Sequence, residues 1–325
     1  MRRLSAHYLG RRRGRLTVVL TVVIIIVLLA AALAYAAFHF FNMAVVRKRQ
    51  QFLEGDPDLS QPGEGISFDN GWLEQQPLEE VGITTEDGLK LRGYYLPAKA
   101  PTRRAVILAH GYTGSAKRDM GSLARLYAET FGYDVLIPDN RSHGQSEGRY
   151  IGFGWLDRRD YVQWIDWLIS RNGPDTEIVL HGVSMGGAAV LMTAGERLPV
   201  NVKGIVSDCA FTSAKHILSY QLKRMFKLPA FPFIDATSLL CRLRAGYFFG
   251  EASALKKVKA AVLPILFIHG AADTYVPTEM VHRLYEEYAG YKELFIVPEA
   301  GHGMAFRTDQ AGYRQAVKHF LNRTL

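Results

Sequence analysis

The pattern of hydrophobic and polar positions divides the chain into one long apolar stretch and a body of short alternating runs. Residues 16–38 form 23 consecutive uncharged positions, and only Thr17 and Thr21 among them are clearly polar. As a helix, about 20 such residues span the ~30 Å hydrocarbon core of a bilayer. A buried core helix is usually shorter and is interrupted by polar positions. We therefore predict a transmembrane anchor over residues 16–41.

A cleaved signal peptide is the alternative interpretation of this stretch. Small residues on either side of Tyr35 stand at a suitable spacing for cleavage, which leaves that alternative open. The apolar region of a signal peptide is only about 7–15 residues long, so the length favours an uncleaved signal anchor. Six arginines precede the stretch and three basic residues follow it, at 47–49. By the positive-inside rule, we expect residues 1–15 to be a basic cytoplasmic tail and the body to lie outside the cytoplasm.

The body follows a different pattern, in which continuous apolar runs alternate with amphipathic segments. Two runs flank Asp87-Gly88, which is typical of a β-hairpin. Helical spacing of apolar residues appears at 156–171 and again in the last two helical segments, around 281–288 and 313–321. Continuous apolar strands separated by helices predict an α/β class with a largely parallel sheet covered on both faces. The further predicted strands are 105–110, 135–138, 178–181, 202–207, 262–269 and 294–297.

Charge and composition narrow the class of protein further. The formal net charge is +8, but residues 1–49 hold nine Lys and Arg without an acidic residue. The body is therefore almost neutral, and nucleic-acid binding is not indicated. Glycine and proline residues in 42–80 predict a stalk that leads into a single domain over 81–325. Cys209 and Cys241 are too few for a disulfide scaffold, and the sequence leaves open whether they pair.

A G-x-S-x-G pattern follows the fifth predicted strand. The pattern runs from Gly182 to Gly186, with Ser184 at its centre, and a segment typical of a helix comes next. Such a strand–turn–helix is so sharp that small residues flank the serine, which is left at the carboxyl edge of the sheet. The pattern alone is weak, because a serine can also cap a glycine-rich helix. Its position between strand and helix makes Ser184 the candidate nucleophile.

A serine nucleophile needs a base and a third group that orients the base. In this kind of fold the chain order is serine, then acid, then histidine. Asp273 and His302 follow consecutive predicted strands in that order, which makes them the candidate acid and base. Asp208, at the end of another strand, is the rival acid, and Asp273 fits the chain order better. We interpret the other strand-end histidines as structural residues: His110, His143, His181 and His269.

The oxyanion of an acyl-transfer intermediate needs hydrogen-bond donors. The backbone N–H of Met185 directly follows the nucleophile and lies at a helix N-terminus, so it is one predicted donor. The turn after the third strand supplies the second, where Gly111 permits a tight path and the N–H of Tyr112 is the predicted donor. Neither a metal nor a cofactor is predicted, since His-x-x-x-His and carboxylate clusters are absent from the sequence.

These motifs together resemble the α/β-hydrolase superfamily. The sequences HGYTGS, DNRSHGQSEG, HGVSMGG, HGAADTYVP and AGHG occur in that family's order over residues 81–325. More narrowly, the chain is similar to the serine-aminopeptidase and dienelactone-hydrolase-like subgroup. The resemblance implies an eight-stranded sheet, the triad Ser184, Asp273 and His302, and an oxyanion hole at Tyr112 and Met185. It also implies that the loop beginning at Asp139 is ordered rather than catalytic.

The family inserts a cap where this chain has residues 211–250. Aromatic and basic residues dominate the segment, and Asp235 is its single acid before residue 251. Either the aromatics simply cover the core, or the cap faces anionic headgroups or an anionic acyl substrate. We therefore predict a single-pass membrane serine hydrolase, with a carboxylesterase acting on a small or lipid-like acyl ester favoured over a serine peptidase. A catalytically inactive binding protein is the third hypothesis, and the natural substrate and oligomeric state stay open.

Overall fold

The structure is a computed structural model that describes residues 2–48 and 71–325. A single long helix, α1 (Arg2–Ala44), precedes the body. Its part from Leu16 to Ala44 is long and apolar enough to cross a membrane by length and composition. The helix thus continues three residues beyond the expected end of the span. Most of the expected stalk falls on residues 49–70, which lie outside the described residues.

The environment of α1 changes along its length. The apolar side chains from Leu16 to Tyr35 are almost all exposed, whereas Phe40, Phe41 and Ala44 are buried against the body. Because a helix rises 1.5 Å per residue, the exposed stretch of about 20 residues is ~30 Å long. That length equals the hydrocarbon thickness of a bilayer. The remaining turns of α1 belong structurally to the folded body.

Hydrogen bonds fix the chain to the body immediately after α1. The N–H of Ile151 donates to the carbonyl of Val45 at 2.8 Å, and the N–H of Arg47 donates to the carbonyl of Arg149 at 2.8 Å. The guanidinium of Arg47 also donates to the carbonyl of Gly144 at 2.6 Å. A short antiparallel bridge therefore joins residues 45–47 to the loop before α4 (Asp157–Asn172).

The predicted sheet is present, with eight strands in the order β1-β2-β4-β3-β5-β6-β7-β8. The β1–β2 hairpin and the β2–β4 pair are antiparallel, and all other pairs are parallel. Each predicted strand is confirmed to within a few residues. The strands are β1 (Glu79–Thr84), β2 (Lys90–Leu96), β3 (Arg104–Ala109), β4 (Asp134–Pro138), β5 (Glu177–Val183), β6 (Val202–Asp208), β7 (Ile265–Gly270) and β8 (Lys292–Val297).

Helices cover both faces of the sheet. In β3, Ala105 and Ile107 enter one apolar cluster while Val106 and Leu108 enter the other, as the two-residue period of a strand requires. The first cluster includes α4 and the second includes the C-terminal helix. The remaining helices are α2 (Ala116–Asp119), α3 (Gly121–Arg125), α5 (Met185–Ala194), α6 (Ala214–Phe226), α7 (Phe233–Ala245), α8 (Ala254–Val258), α9 (Glu279–Glu287), α10 (Ala305–Thr308) and α11 (Gln310–Thr324), with a 3₁₀ turn at Leu73–Gln75 and a π-helical turn at Leu126–Phe131.

Candidate active site

Ser184 lies in the sharp turn between β5 and α5. Its backbone has φ 57° and ψ −116°, a conformation that costs a non-glycine residue on the order of 1–3 kcal/mol. The turn is held by the N–H of Ser184, which donates to the carbonyl of Asp208 at 2.8 Å. A Cβ on Gly182 would lie 2.2 Å from the carbonyl oxygen of Gly186, so glycine is required there. The turn thus has the geometry expected of a nucleophile elbow.

The structure brings the three predicted catalytic side chains together. The Oγ of Ser184 lies 2.8 Å from Nε2 of His302. On the other side of the ring, Nδ1 of His302 lies 2.8 Å from Oδ2 of Asp273. All three residues are buried, although they come from three different strand ends. Since the carboxyl ends of parallel strands meet at one edge of the sheet, distant parts of the chain converge there.

The carboxylate of Asp273 is held in the ionised form. Burial alone would raise the pKa of Asp273, but the imidazoles of His302 and His269 outweigh it and lower the pKa below its ordinary value. The other carboxylate oxygen, Oδ1, accepts the N–H groups of Tyr275 at 3.0 Å and Val276 at 2.8 Å. Both carboxylate oxygens of Asp273 therefore accept hydrogen bonds, and Oδ2 is the one that faces His302.

The predicted oxyanion donors flank Ser184. A Cβ on Gly111 would lie 3.4 Å from the Cβ of Ser184, which places the turn after β3 against the nucleophile. Met185 begins α5. Within the described part of the chain, the backbone N–H groups of Tyr112 and Met185 donate no hydrogen bond. Two unoccupied donors beside the nucleophile are what an oxyanion hole requires.

The loops around these donors are ordered by buried histidines. The ring of His110 donates to the carbonyl of Gly111 at 2.8 Å and accepts the N–H of Asn140 at 2.9 Å. The ring of His143 accepts the N–H of Thr113 at 3.2 Å, and burial lowers the pKa of His143 to about 3. Neutral rings of this kind connect the turn after β3 to the turn after β4, in line with the structural role expected for them.

The rival acid, Asp208, has a different set of partners. Its Oδ2 accepts the O–H of Tyr313 at 3.0 Å, and Tyr313 is in turn 2.9 Å from Nε2 of His181. Burial raises the pKa of Asp208 to about 6. Asp208 therefore belongs to a buried hydrogen-bonded chain with Tyr313 and His181, and Asp273 is the carboxylate that is hydrogen-bonded to His302.

Metal-ligating atoms also occur near the candidate site. The thiol of Cys209 and one atom each of Asp273 and His302 lie within 4.8 Å of one another, and all three residues are buried. The Asp273 and His302 atoms are already hydrogen-bonded. Cys209 and Cys241 are both free thiols, and burial raises the pKa of each.

Sequence reasoning missed an apolar cavity beside the triad. The cavity has a volume of about 80 Å³, and its walls come from the end of α1, the turn after β3, the cap helices α6 and α7 and the loop after β7. The ring of Tyr275, which lines it, lies 4.9 Å from the ring of His302. The signal in the sequence was Phe40, which falls in the predicted membrane segment.

Fold and site together define an α/β hydrolase. The chain belongs to the alpha/beta hydrolase family, whose model matches residues 106–316. It is 30% identical to the uncharacterized protein YqkD of Bacillus subtilis over 250 residues, which cover 77% of this chain and 81% of that protein. It is 27% identical to the uncharacterized protein YfhR of Escherichia coli K12 over 252 residues, which cover 75% and 80% of the two chains.

Solved structures add similar proteins that are named as an esterase and a peptidase. The esterase Pf2001 of Pyrococcus furiosus superposes with a TM-score of 0.64 at 27% identity, over 78% of this chain and 94% of the esterase. An acylaminoacyl peptidase of Pyrococcus horikoshii superposes with a TM-score of 0.59 at 17% identity, over 80% and 44% of the two chains. At that identity the peptidase supports the fold alone. The resemblance of the sequence to the α/β-hydrolase superfamily is thus confirmed.

Proposed function

We propose that this protein is a membrane-anchored serine hydrolase, a carboxylesterase that forms an acyl-enzyme at Ser184. The observation that carries the proposal is the continuous hydrogen-bonded chain from Ser184 through His302 to Asp273, with 2.8 Å at each contact. The strained elbow and the two unoccupied N–H donors beside it support the same chemistry. The esterase among the structural relatives is in keeping with this proposal.

The reaction follows from this geometry. Ser184 attacks the ester carbonyl while Nε2 of His302 takes its proton, and the N–H groups of Tyr112 and Met185 stabilise the oxyanion. His302 then gives the proton to the departing alcohol, and the acyl group stays on Ser184. A water molecule, deprotonated by His302 in the same way, releases the carboxylic acid. Asp273 holds the ring of His302 and stabilises its charged form throughout.

The cavity favours an ester with an apolar acyl group over an aminopeptidase substrate. An aminopeptidase has to bind the ammonium group of its substrate, for which a carboxylate is the usual partner. None of the cavity-lining residues, all of which belong to the described part of the chain, is acidic. The lining is almost entirely aliphatic and aromatic, which suits a hydrocarbon substituent.

The test is reaction of the full chain with a fluorophosphonate probe and with p-nitrophenyl esters and aminoacyl-anilides. We expect covalent labelling and ester cleavage, because Ser184 displaces fluoride from the probe as it would an alcohol from an ester. Ser184→Ala should lose both. Ser170→Ala, at an exposed serine on α4, is the matched control and should keep both.

Each alternative hypothesis has its own result in this experiment. Absence of labelling that depends on Ser184 would contradict both enzyme hypotheses and favour a binding protein without catalytic activity. Cleavage of anilides without cleavage of esters would favour the peptidase. Labelling together with ester cleavage supports the carboxylesterase.

The second part of the proposal is the topology. We propose that α1 spans the membrane once, with residues 1–15 in the cytoplasm and Ser184 on the other side. The exposed apolar length of ~30 Å and the six arginines ahead of it support this orientation. The substrate would then come from the cell envelope or the outer leaflet.

Protease added to intact cells or spheroplasts tests the orientation. We expect digestion of the body, with residues 1–15 protected, as read by epitope tags at the two ends. Protection of the body until lysis would reverse the orientation. A mature N-terminus near Ala37 would show that the stretch is a cleaved signal peptide.

A further inference from the structure

The last turns of α1 form one wall of the cavity beside the triad. Phe40 packs between the cap helices, with its ring 5.5 Å from Phe226 and 6.2 Å from Phe233. Met43 and Ala44 line the same cavity. The cavity is therefore incomplete without the anchor, although anchor and catalytic residues are far apart in the sequence. An anchor that only held the domain at the membrane would not need to enter its binding pocket.

Two tyrosines connect this wall to the reacting groups. The hydroxyl of Tyr112 donates to the carbonyl of Ala44 at 2.8 Å, and the ring of Tyr112 stacks on Phe153 at 5.5 Å. The same residue carries the predicted oxyanion N–H. Tyr275 lines the cavity and contacts the ring of His302. Tyr112 and Tyr275 thus link the cavity wall to the groups around Ser184.

The position of the cavity relative to the bilayer follows from the length of α1. The long exposed apolar part runs to Tyr35, Phe38 is the last exposed apolar side chain of the helix, and Phe40 lies five residues beyond Tyr35. At 1.5 Å per residue, Phe40 lies ~8 Å along the helix from Tyr35; with Tyr35 at the hydrocarbon boundary, Phe40 would lie within the headgroup region. In that arrangement, an acyl chain would need to extend only this distance from the leaflet to reach the cavity wall.

The cap presents a surface suited to that location. The α7 helix packs against α1 and leaves Leu239 and Leu243, four residues apart on one face, 54% and 75% exposed. Phe231, just before α7, is 75% exposed. Exposed cations accompany these apolar residues: Lys223, Lys227, Arg242 and Arg244. Exposed apolar side chains among cations are typical of a surface that rests on anionic headgroups.

We propose that the cavity binds the acyl chain of a lipid ester that enters directly from the adjoining leaflet, and that Phe40, Met43 and Ala44 of the anchor help to select the chain. This inference rests on the proposed esterase function. It adds the substrate class, a bilayer lipid with an acyl chain, and assigns the end of the anchor helix to substrate binding.

The cavity volume sets the expected chain length. A site for one water-sized group needs about 10–15 Å³, so about 80 Å³ accommodates on the order of six groups. Each buried methylene strengthens binding about three- to fourfold. We therefore expect kcat/KM to rise on the order of 100-fold from p-nitrophenyl acetate to the hexanoate, and to level off for longer chains.

Variants of Met43 test the role of the anchor. Met43→Trp, which fills the cavity, should lower the hexanoate-to-acetate ratio of kcat/KM by at least about tenfold, while Met43→Ala should move the optimum to longer chains. Phe38→Trp, at an exposed position of the same helix, is the matched control and should leave the ratio unchanged. Unchanged chain selectivity in both Met43 variants would overturn the proposal, and Met43→Ala remains informative if the tryptophan variant does not fold.

Delivery from the bilayer is tested with the full chain reconstituted in vesicles. A fluorogenic diacyl lipid ester is placed either in the same vesicles as the protein or in separate, protein-free vesicles. We expect hydrolysis at least about tenfold faster in the first arrangement. Equal rates would show that the protein takes the lipid ester from solution, and would contradict delivery from the leaflet. If p-nitrophenyl acetate is cleaved but longer acyl chains are not preferred, this inference fails and the proposed esterase function stands. If p-nitrophenyl acetate is not cleaved either, the proposed function fails as well.

Discussion

Replacement of Asp273 by asparagine is expected to lower kcat by about 10⁴-fold without unfolding the protein. Oδ1 of Asp273 accepts two backbone N–H groups, from Tyr275 and Val276, so the amide oxygen of asparagine would take that position. Its NH₂ group would then face Nδ1 of His302, where a donor is already present. The ring would have to place its proton on Nε2, and it could no longer accept the proton of Ser184. Steady-state kinetics on a p-nitrophenyl ester, with circular dichroism to check folding, measures the effect.

Asp208→Asn is the matched control for this prediction. Asp208 is equally buried and also follows a strand, but its carboxylate accepts the hydroxyl of Tyr313 rather than a nitrogen of His302. We expect its kcat to stay within about tenfold of the parent protein. A large loss in Asp208→Asn with a small loss in Asp273→Asn would contradict the assignment of the acid.

Most of the sheet could be predicted from the sequence because its signals are local. The runs that became β3 to β8 are continuous and apolar, and each ends at a turn or polar residue, so a short window suffices to find them. The elbow is also local, since Gly182, Ser184 and Gly186 lie within five residues. The convergence of Asp273 and His302 on Ser184 could be predicted because parallel strands bring their carboxyl ends to one edge.

The contribution of the end of α1 to the cavity wall could not be predicted in this way. Phe40 falls in the predicted membrane segment and Met43 at the start of the predicted stalk, and the apolar pattern alone cannot distinguish lipid-facing from protein-facing positions. The bridge between residues 45–47 and 149–151 depends on a pairing about one hundred residues apart. The contact between Tyr275 and His302 depends on the path of the loop after β7. Each of these features is set by tertiary packing rather than by a local pattern.

This packing has a consequence for the proposed chemistry. The hydroxyl of Tyr112 is held by the carbonyl of Ala44, at the end of α1, where helical carbonyls lack intrahelical partners. Tyr112, which carries the predicted oxyanion N–H, is therefore held in part by the end of α1. In the proposed mechanism, binding of the acyl chain and stabilisation of the oxyanion would thus depend on the same turn of α1.

Replacement of Gly186 by alanine is expected to have the largest effect on stability among single-methyl additions at the elbow. A Cβ on Gly186 would lie 2.0 Å from the carbonyl oxygen of Ala109 in β3 and 2.7 Å from that of His110, far inside contact distance. Both atoms are backbone atoms at the sheet edge, so neither can move aside as a side chain could. We expect a loss of about 3 kcal/mol in the free energy of unfolding, or a Tm lower by about 6–12 °C.

Gly250→Ala separates this effect from the general cost of replacing glycine. A Cβ on Gly250 would meet no atom within 4 Å, and its backbone is not in the left-handed region. We expect its Tm to stay within about 2 °C of the parent protein. Thermal unfolding followed by near-ultraviolet circular dichroism, with labelling of Ser184 by the fluorophosphonate probe below the transition, measures both variants. An unchanged Tm in Gly186→Ala would mean that α5 can move away from β3. The close contact between α5 and β3 would then not be required for a stable fold, and it could not be what places Ser184 and the N–H of Met185.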